Sequence, residues 1–291
     1  LSGNEDAIQS AQETYEAINP LFWEGVKIDG TIYGIPTNKE IAVPLHFSYA
    51  QSLVNKYDID ISAYQTLESL EPLFELIHEK EPDYITFDVN ASASNYFAID
   101  GYEYLISSDI PLMVRSSDPN VQIVNIFATP YCQSILNQLH NYYQKGYINE
   151  DAPLKEAEGF EEGVKAFFRI AEGGPYSATT WSNDRKYSVV SHQVSDSVVT
   201  TESTRGSLMV VNAKTQHPEA CLRFLNCLNT DPEVRNLFNY GIEGQHYALN
   251  DNGQVHKLNN SYAGVQYTQG NWFILKTQVG EPLDKWEQFQ L

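Results

Sequence analysis

Apolar positions recur at helical spacing in several stretches of this chain and form short extended runs in others. Residues 5–18 put Ala7, Ile8, Ala11, Tyr15 and Ile18 on one side, and Asn19-Pro20 ends the helix they predict. Leu67–Ile77 repeats the pattern with Leu67, Leu70, Leu73, Phe74 and Ile77. Pro130–Lys145 turns Ile135, Leu139, Tyr142 and Tyr143 inward, with Thr129 as cap and Gly146 as stop. His217–Leu228 gathers Cys221, Phe224, Leu225 and Leu228 on one face, and a shorter helix is expected over Phe160–Phe168.

The most strongly signposted segment is Leu228–Tyr247, LNTDPEVRNLFNYGIEGQHY. Asp231 can cap free N–H groups, Pro232 suits the first helical position, and Glu233 sets negative charge at the positive helix end. Gly241 can take the conformation of a stop. Beyond it, a loop carries Glu243, His246 and Tyr247, side chains suited either to gripping a polar ligand or to an ordinary surface loop.

Extended runs lie between these helices. Asp29-Gly30 marks a hairpin turn between Gly25–Ile28 and Thr31–Ile35. Ile41–Tyr49, broken by Pro44, then Tyr84–Val89, Phe167–Ile170, Tyr187–Ser191 and Ser207–Val211 read as strands. Residues 90–128 are Ser-, Asp- and Asn-rich, and irregular structure with short strands is expected there. Helices alternating with short strands predict an α/β fold, and with no Gly/Ser-rich linker any two lobes are interleaved in sequence.

At 291 residues the length suggests two domains. The formal net charge of −20 argues against nucleic acid and anionic lipid as partners. Three cysteines, Cys132, Cys221 and Cys227, make no disulfide framework and read as small buried hydrophobes. No apolar run reaches the roughly 18 residues of a membrane span. The opening LSGNEDAIQS lacks a basic signal-peptide region, as a processed chain would, so export stays open.

Chemical motifs are sparse. There is no G-x-G-x-x-G, phosphate loop or G-x-S-x-G, and Gly173-Gly174-Pro175 is a poor anion cradle because proline lacks an N–H. The seven histidines show no metal-ligand spacing, so no metal and no cofactor are expected. Acidic pairs such as Glu161-Glu162 read as solvated surface, whereas Glu40 and Glu243 stand in unusual local settings. Trp181 and Trp272 follow glycine-containing loops, and indoles can stack on sugar rings while Asn, Glu and His bind hydroxyls. The alternative for each tryptophan is a core role, which is the favoured reading for Trp23, while Trp286 reads as peripheral.

Four blocks carry a resemblance. They are INPLFWEGVKIDGTIYGIPTNKE (Ile18–Glu40), TTESTRGSLMVV (Thr200–Val211), HPEACLRFLNCLNTDPEVRNLFNYGIEGQHY (His217–Tyr247), and GNWF with GEPLDKWEQF (Gly270–Phe273, Gly280–Phe289). In that order they resemble the extracellular solute-binding proteins of ABC importers, family 1, in a lipoprotein branch of Gram-positive bacteria.

The resemblance implies a periplasmic-binding-protein-like two-lobed clamp (type II). Lobe one would be residues 1–40 and 200–240, in part, and lobe two 41–199 and 241–291. Crossings would fall near Thr37–Ala42, Val198–Thr201 and Tyr240–Gly244. Relative to the family the chain looks like a fragment lacking N-terminal and C-terminal segments. The implied function is capture of a carbohydrate, foremost an oligosaccharide, in an interlobe cleft and delivery to ABC permease subunits, without catalysis. The implied location is extracellular, with the full-length protein held at the cell surface by a lipid anchor outside this chain. Carried over by segment, the ligand-binding candidates are Asn38, Glu40, Tyr176, Trp181, Thr200, Glu243, His246 and Trp272. A peptide, polyamine or other non-sugar solute is the alternative ligand, and a secreted glycoside hydrolase the remaining alternative.

Overall fold

Leu45–Ala50 is buried at every position, as befits the interior strand of a sheet covered on both faces. The computed structural model that shows this describes residues 4–90, 96–106, 109–155, 164–259, 261–262, 264 and 267–289. The chain folds as two units: unit 1 is Leu1–Ala42 with Val199–Leu291, and unit 2 is Val43–Val198. No helix among the described residues is long and apolar enough to cross a membrane.

Unit 2 is built on a four-stranded sheet in the order Val189–Gln193, Leu45–Ala50, Ala166–Glu172, Ile85–Phe87. The first three strands are antiparallel neighbours, and Ile85–Phe87 runs parallel to Ala166–Glu172. Because side chains alternate, Phe47 and Tyr49 go to one face with Phe168 and meet Phe74, Ile77 and Tyr142 from helices Glu71–Lys80 and Pro130–Gln144. Tyr142 fits this core because its hydroxyl donates to Leu67 O at 2.6 Å. His46 and Ser48 go to the other face, beneath helix Ser177–Arg185.

Residues 96–129 add a three-stranded sheet of Tyr102–Tyr104, Leu112–Arg115 and Val124–Asn125, closed over Met113, Ile126 and Cys132. Two elements differ from expectation. Ala166–Phe168 is strand rather than helix end, since a short apolar run buried on both sides has no periodicity to tell the two apart. Residues 160–163 of that expected helix, with Glu161-Glu162, lie outside the described residues, and Val164 and Lys165 are not helical. Trp181 stands on a nine-residue helix rather than in a loop. That helix has little amphipathic pattern, because the sheet face it covers is polar.

Unit 1 packs helix Glu5–Ala17 against Pro218–Thr230, with Thr14 Oγ1 donating to Asn226 Oδ1 at 3.1 Å and Asn226 Nδ2 to Glu13 at 2.7 Å. Trp23 is a core residue whose Nε1 donates to Tyr15 O at 2.9 Å. The 29–30 turn joins strands Lys27–Ile28 and Thr31–Ile32. Helix Pro232–Tyr240 starts at Asp231, which accepts from Glu233 N at 2.8 Å and Val234 N at 3.2 Å. Gly241 ends it at φ +80°, where a Cβ would lie 2.4 Å from His246 Nδ1.

The assignment of 241–291 to lobe two is corrected: this tail belongs to unit 1, and the chain does not pass between units near Tyr240–Gly244. The reason is a hydrogen-bonded latch. Asn38 N donates to Gly270 O at 3.1 Å, Trp272 N to Asn38 O at 2.8 Å, and Asn38 Nδ2 to Ala17 O at 2.9 Å. Arg235, fully buried, donates from Nε to Asn271 O at 3.2 Å and from Nη1 to Asn239 Oδ1 at 3.4 Å. Asn271 itself donates to Leu228 O and Asn229 O. The other boundaries, 42/43 and 198/199, lie within two residues of the expected ones.

Arg235→Ala removes a buried cation and leaves Asn271 O and Asn239 Oδ1 short of a donor, so a loss of about 2–4 kcal/mol is expected. Asp231→Ala removes only a cap, about 1 kcal/mol. Urea unfolding followed by tryptophan fluorescence measures both, and an Arg235→Ala loss no larger than that of Asp231→Ala would show that the latch does not hold the tail.

Candidate functional site

The strands Leu45–Ala50 and Ala166–Glu172 bring chemistry to the end of the unit 2 sheet where the chain enters and leaves this unit. His46 is 9% exposed, and neither of its buried ring nitrogens makes a well-formed hydrogen bond among the described residues, the Gly173 backbone standing close enough only to favour its protonation. Its ring meets the edge of Trp181 at 5.9 Å and 74°. Burial, then the neighbouring His192, holds His46 below its usual pKa, so it stays neutral and can donate from one nitrogen and accept at the other. Arg185 lies over the Trp181 ring at 5.7 Å and donates to Ser48 Oγ at 3.2 Å. A guanidinium on the indole and a hydrogen bond below it hold Trp181 against the sheet.

The loop leading to this helix explains how the indole gets there. A Cβ on Gly173 would come within 2.7 Å of Trp181 Cζ2 and Ser177 Cβ, so only glycine lets the chain pass beneath the ring. Tyr176 opens the helix at φ +61°, a left-handed conformation that costs a bulky residue roughly 1–3 kcal/mol. Such strain marks a position that the surroundings hold in place.

Carboxylates from two elements approach the same strand end. Glu172 closes Ala166–Glu172, and Glu103 comes from the Tyr102–Tyr104 strand. Burial, reinforced by the charge of Glu172, pushes Glu103 up to about 7. A protonated Glu103 can donate a hydrogen bond as well as accept one. Deeper in the unit, Asp88 holds Lys155 at 2.8 Å and also pairs with Arg169, which fixes the polar layer under Ser177–Arg185.

In unit 1, four buried polar atoms lack partners among the described residues: Asn229 Oδ1 within helix Pro218–Thr230, and Thr37 Oγ1, Glu40 Oε2 and Trp272 Nε1. The last three lie on two backbone segments, 37–40 and 270–272, joined by the Asn38 hydrogen bonds. Burial raises the Glu40 pKa, opposed by its own backbone hydrogen bond and by Lys39 and Lys285. A buried hydroxyl, carboxylate oxygen and indole N–H left unmade are each costly, and each suits a hydroxyl-bearing ligand or an ordered water.

The eight candidates therefore separate. Trp181 and Tyr176 share the strand end with His46, which the sequence reading did not select; its signal is a histidine alternating with Phe47 and Tyr49 in an apolar strand. Glu40 keeps a free buried oxygen. Asn38 is spent on the latch. Trp272, 2% exposed, is a core residue rather than a stacking surface: its ring meets Trp286 at 4.7 Å and Phe289 at 5.1 Å, and Lys285 lies over it at 5.5 Å. Trp286 is accordingly a core partner, with Nε1 donating to Leu275 O at 2.5 Å. Thr200 caps helix Thr201–Arg205, accepting from Ser203 N at 3.1 Å. His246 Nδ1 accepts from Ile242 N at 2.8 Å and closes its own loop, and Glu243 is exposed in that loop. Among the described residues no group of three or more His, Cys, Asp or Glu could hold a metal ion.

No protein-family model matches the chain. It is 26% identical over 274 residues to a carbohydrate ABC transporter substrate-binding protein of Streptococcus pneumoniae serotype 4, a match covering 91% of this chain and 55% of that protein. The chain thus spans about half the length of the curated relative it matches. Among solved structures, the N-glycan transport solute binding protein NgtS from Streptococcus pneumoniae superposes with a TM-score of 0.84 at 24% identity, over 97% of this chain and 63% of that one. The same protein in complex with Man5GlcNAc gives 0.75 at 24% identity, over 99% and 64%. An extracellular solute-binding protein from Bifidobacterium longum subsp. infantis gives 0.66 at 12% identity, over 98% and 64%. The fold is that of the periplasmic-binding-protein-like solute-binding proteins.

Glu103 sets a pH signature. Its pKa rises on folding, so between about 4.5 and 7 the folded state binds more protons than the unfolded one, and stability falls as pH rises through that window. Burial of His46 and His192 acts in the opposite sense over the same range in both chains, so the melting temperature measured across pH 5–8 is expected to fall for the native chain relative to Glu103→Gln as pH rises; parallel curves for the two would remove Glu103 as the source.

Proposed function

We propose that this chain is part of the substrate-binding component of an ABC importer, which captures an oligosaccharide and delivers it to membrane permease subunits. The observation that carries the reading is the pairing of Trp181, a half-buried indole, with the neutral buried His46, whose two ring nitrogens lack partners among the described residues. An indole covers the apolar face of a sugar ring, and neutral donor–acceptor groups bind its hydroxyls without selecting for charge. The relation to a carbohydrate substrate-binding protein, and the Man5GlcNAc complex of a structural neighbour, support a sugar as the solute.

Trp181, Tyr176 and His46 in unit 2 are the residues proposed to contact the sugar; Glu40, with its unpartnered buried oxygen, is a separate contact proposal within unit 1. The role is binding rather than turnover. The whole protein would act outside the cell, and the lipoprotein branch that the sequence resembles supports a lipid anchor. Thr200, Glu243 and His246 remain weaker contact proposals, since each already serves its own loop or helix or stands exposed.

Isothermal calorimetry with mannose-type oligosaccharides, on the chain and on its full-length form, tests the proposal. Trp181→Ala is expected to weaken binding by roughly 10-fold or more, the worth of one aromatic platform at about 1.5 kcal/mol. Glu40→Gln removes a charge while keeping an acceptor, and a smaller loss is expected. Heat with a peptide or polyamine and none with any sugar would overturn the sugar assignment.

A further inference from the structure

Unit 2 carries a second concavity, a groove of about 840 Å³ between strand Ile85–Phe87 and the end of helix Pro130–Gln144. It opens beside Ala166, the partner of Ile85, at the opposite end of the seven-residue strand from Glu172. At a rise of about 3.3 Å per residue it lies roughly 20 Å from the Trp181–His46 end. The volume falls within the range of roughly 300–1,000 Å³ usual for small-ligand sites.

Tyr84, Thr86, Tyr143 and Tyr147 line the groove together with His78 and Glu150. Lys165 lies over Tyr84 at 5.8 Å, Lys145 over Tyr147 at 5.9 Å, and His78 meets Tyr147 at 5.4 Å and 64°. Tyr143, 40% exposed, has no such cover among the described residues, and its hydroxyl is turned back onto Glu150 O at 3.3 Å. Its ring is therefore the free platform. Thr86 on the floor is 2% exposed, and its Oγ1 has no partner among the described residues. Among the described residues no Lys or Arg lines the groove itself; Lys165 and Lys145 stand on the Tyr84 and Tyr147 rings, Lys145 is paired with Glu71, and the one carboxylate of the lining is on Glu150.

We propose that this groove is a second saccharide site, taking a single neutral sugar ring stacked on Tyr143. The ligand class rests on the saccharide reading of the chain, whereas the place rests on the groove alone. A ring on Tyr143 would turn its hydroxyls toward His78 and Glu150. A weak site of this kind gives the chain a second point of attachment to a branched or long glycan, and two linked contacts raise overall avidity without strengthening either one.

Methyl mannoside titrated to millimolar concentration against the isotopically labelled chain, followed by amide chemical shifts, tests the site. Shifts are expected at Gly146, Tyr147 and Glu150. They should saturate at roughly 5- to 10-fold higher sugar in Tyr143→Ala, the worth of one stacked ring, and stay unchanged in Trp181→Ala. Tyr143 is exposed enough for its loss to leave the fold intact, and dispersed amide spectra verify that. Absence of these shifts in the folded native chain overturns the groove site even if calorimetry shows sugar at Trp181. Shifts that persist unchanged in Tyr143→Ala, or a glucuronate that binds more tightly than the mannoside, overturn it as well. If calorimetry finds no sugar at Trp181 but the groove shifts appear, the groove stands and the importer reading falls.

Discussion

Unit 1 depends on the hydrogen bonds that converge on Asn38 and Asn271. Helix Glu5–Ala17, segment 37–40, segment 270–272 and the two helices Pro218–Thr230 and Pro232–Tyr240 come from distant parts of the sequence, and this set of bonds joins them. Arg235 is the costliest member. A fully buried guanidinium must be surrounded by acceptors, and burial lowers its pKa to about 10. One of those acceptors, Asn271 O, is a backbone oxygen of the tail, and it ties the tail to the helix that carries Arg235. The same latch brings Thr37, Glu40 and Trp272 onto neighbouring segments, so their unpartnered polar atoms follow from how the unit is tied together.

Unit 2 solves a different problem. One face of its sheet is an aromatic core of Phe47, Tyr49, Phe74, Phe87 and Phe168. The other face is polar and still covered, which demands internal pairing: Asp88 with Lys155 and Arg169, and Arg185 with Ser48. His46 stands apart in that neither of its buried ring nitrogens has a partner among the described residues, and an indole lies beside it. A buried imidazole left unsatisfied at a strand end is the expected mark of a place where something else binds.

Much of this was legible beforehand where local chemistry decides the outcome. The Asp231-Pro232 start and Gly241 stop of one helix, the Thr129 cap of another and the Asp29-Gly30 turn stand where their residues put them. So do the unit boundaries at 42/43 and 198/199, to within two residues, whereas the one expected at 240/241 does not exist. The helix bearing Trp181 was not legible, because the face it covers is polar and imposes no apolar period. Trp272 read equally well as platform or core, since an indole after a glycine turn looks alike in both roles until its neighbours are known.

The sequence by itself determined most of the helices and strands, the α/β class, and the kind of molecule the chain resembles. These follow from capping, turn chemistry and periodicity, which act over a few residues. Tertiary structure alone decided that the tail joins unit 1, that Asn38 is a fastener and Trp272 a core ring, and that His46 stands beside Trp181. Each of those depends on contacts between residues tens to hundreds of positions apart, and whether a polar atom is satisfied or left over is fixed only when those contacts form.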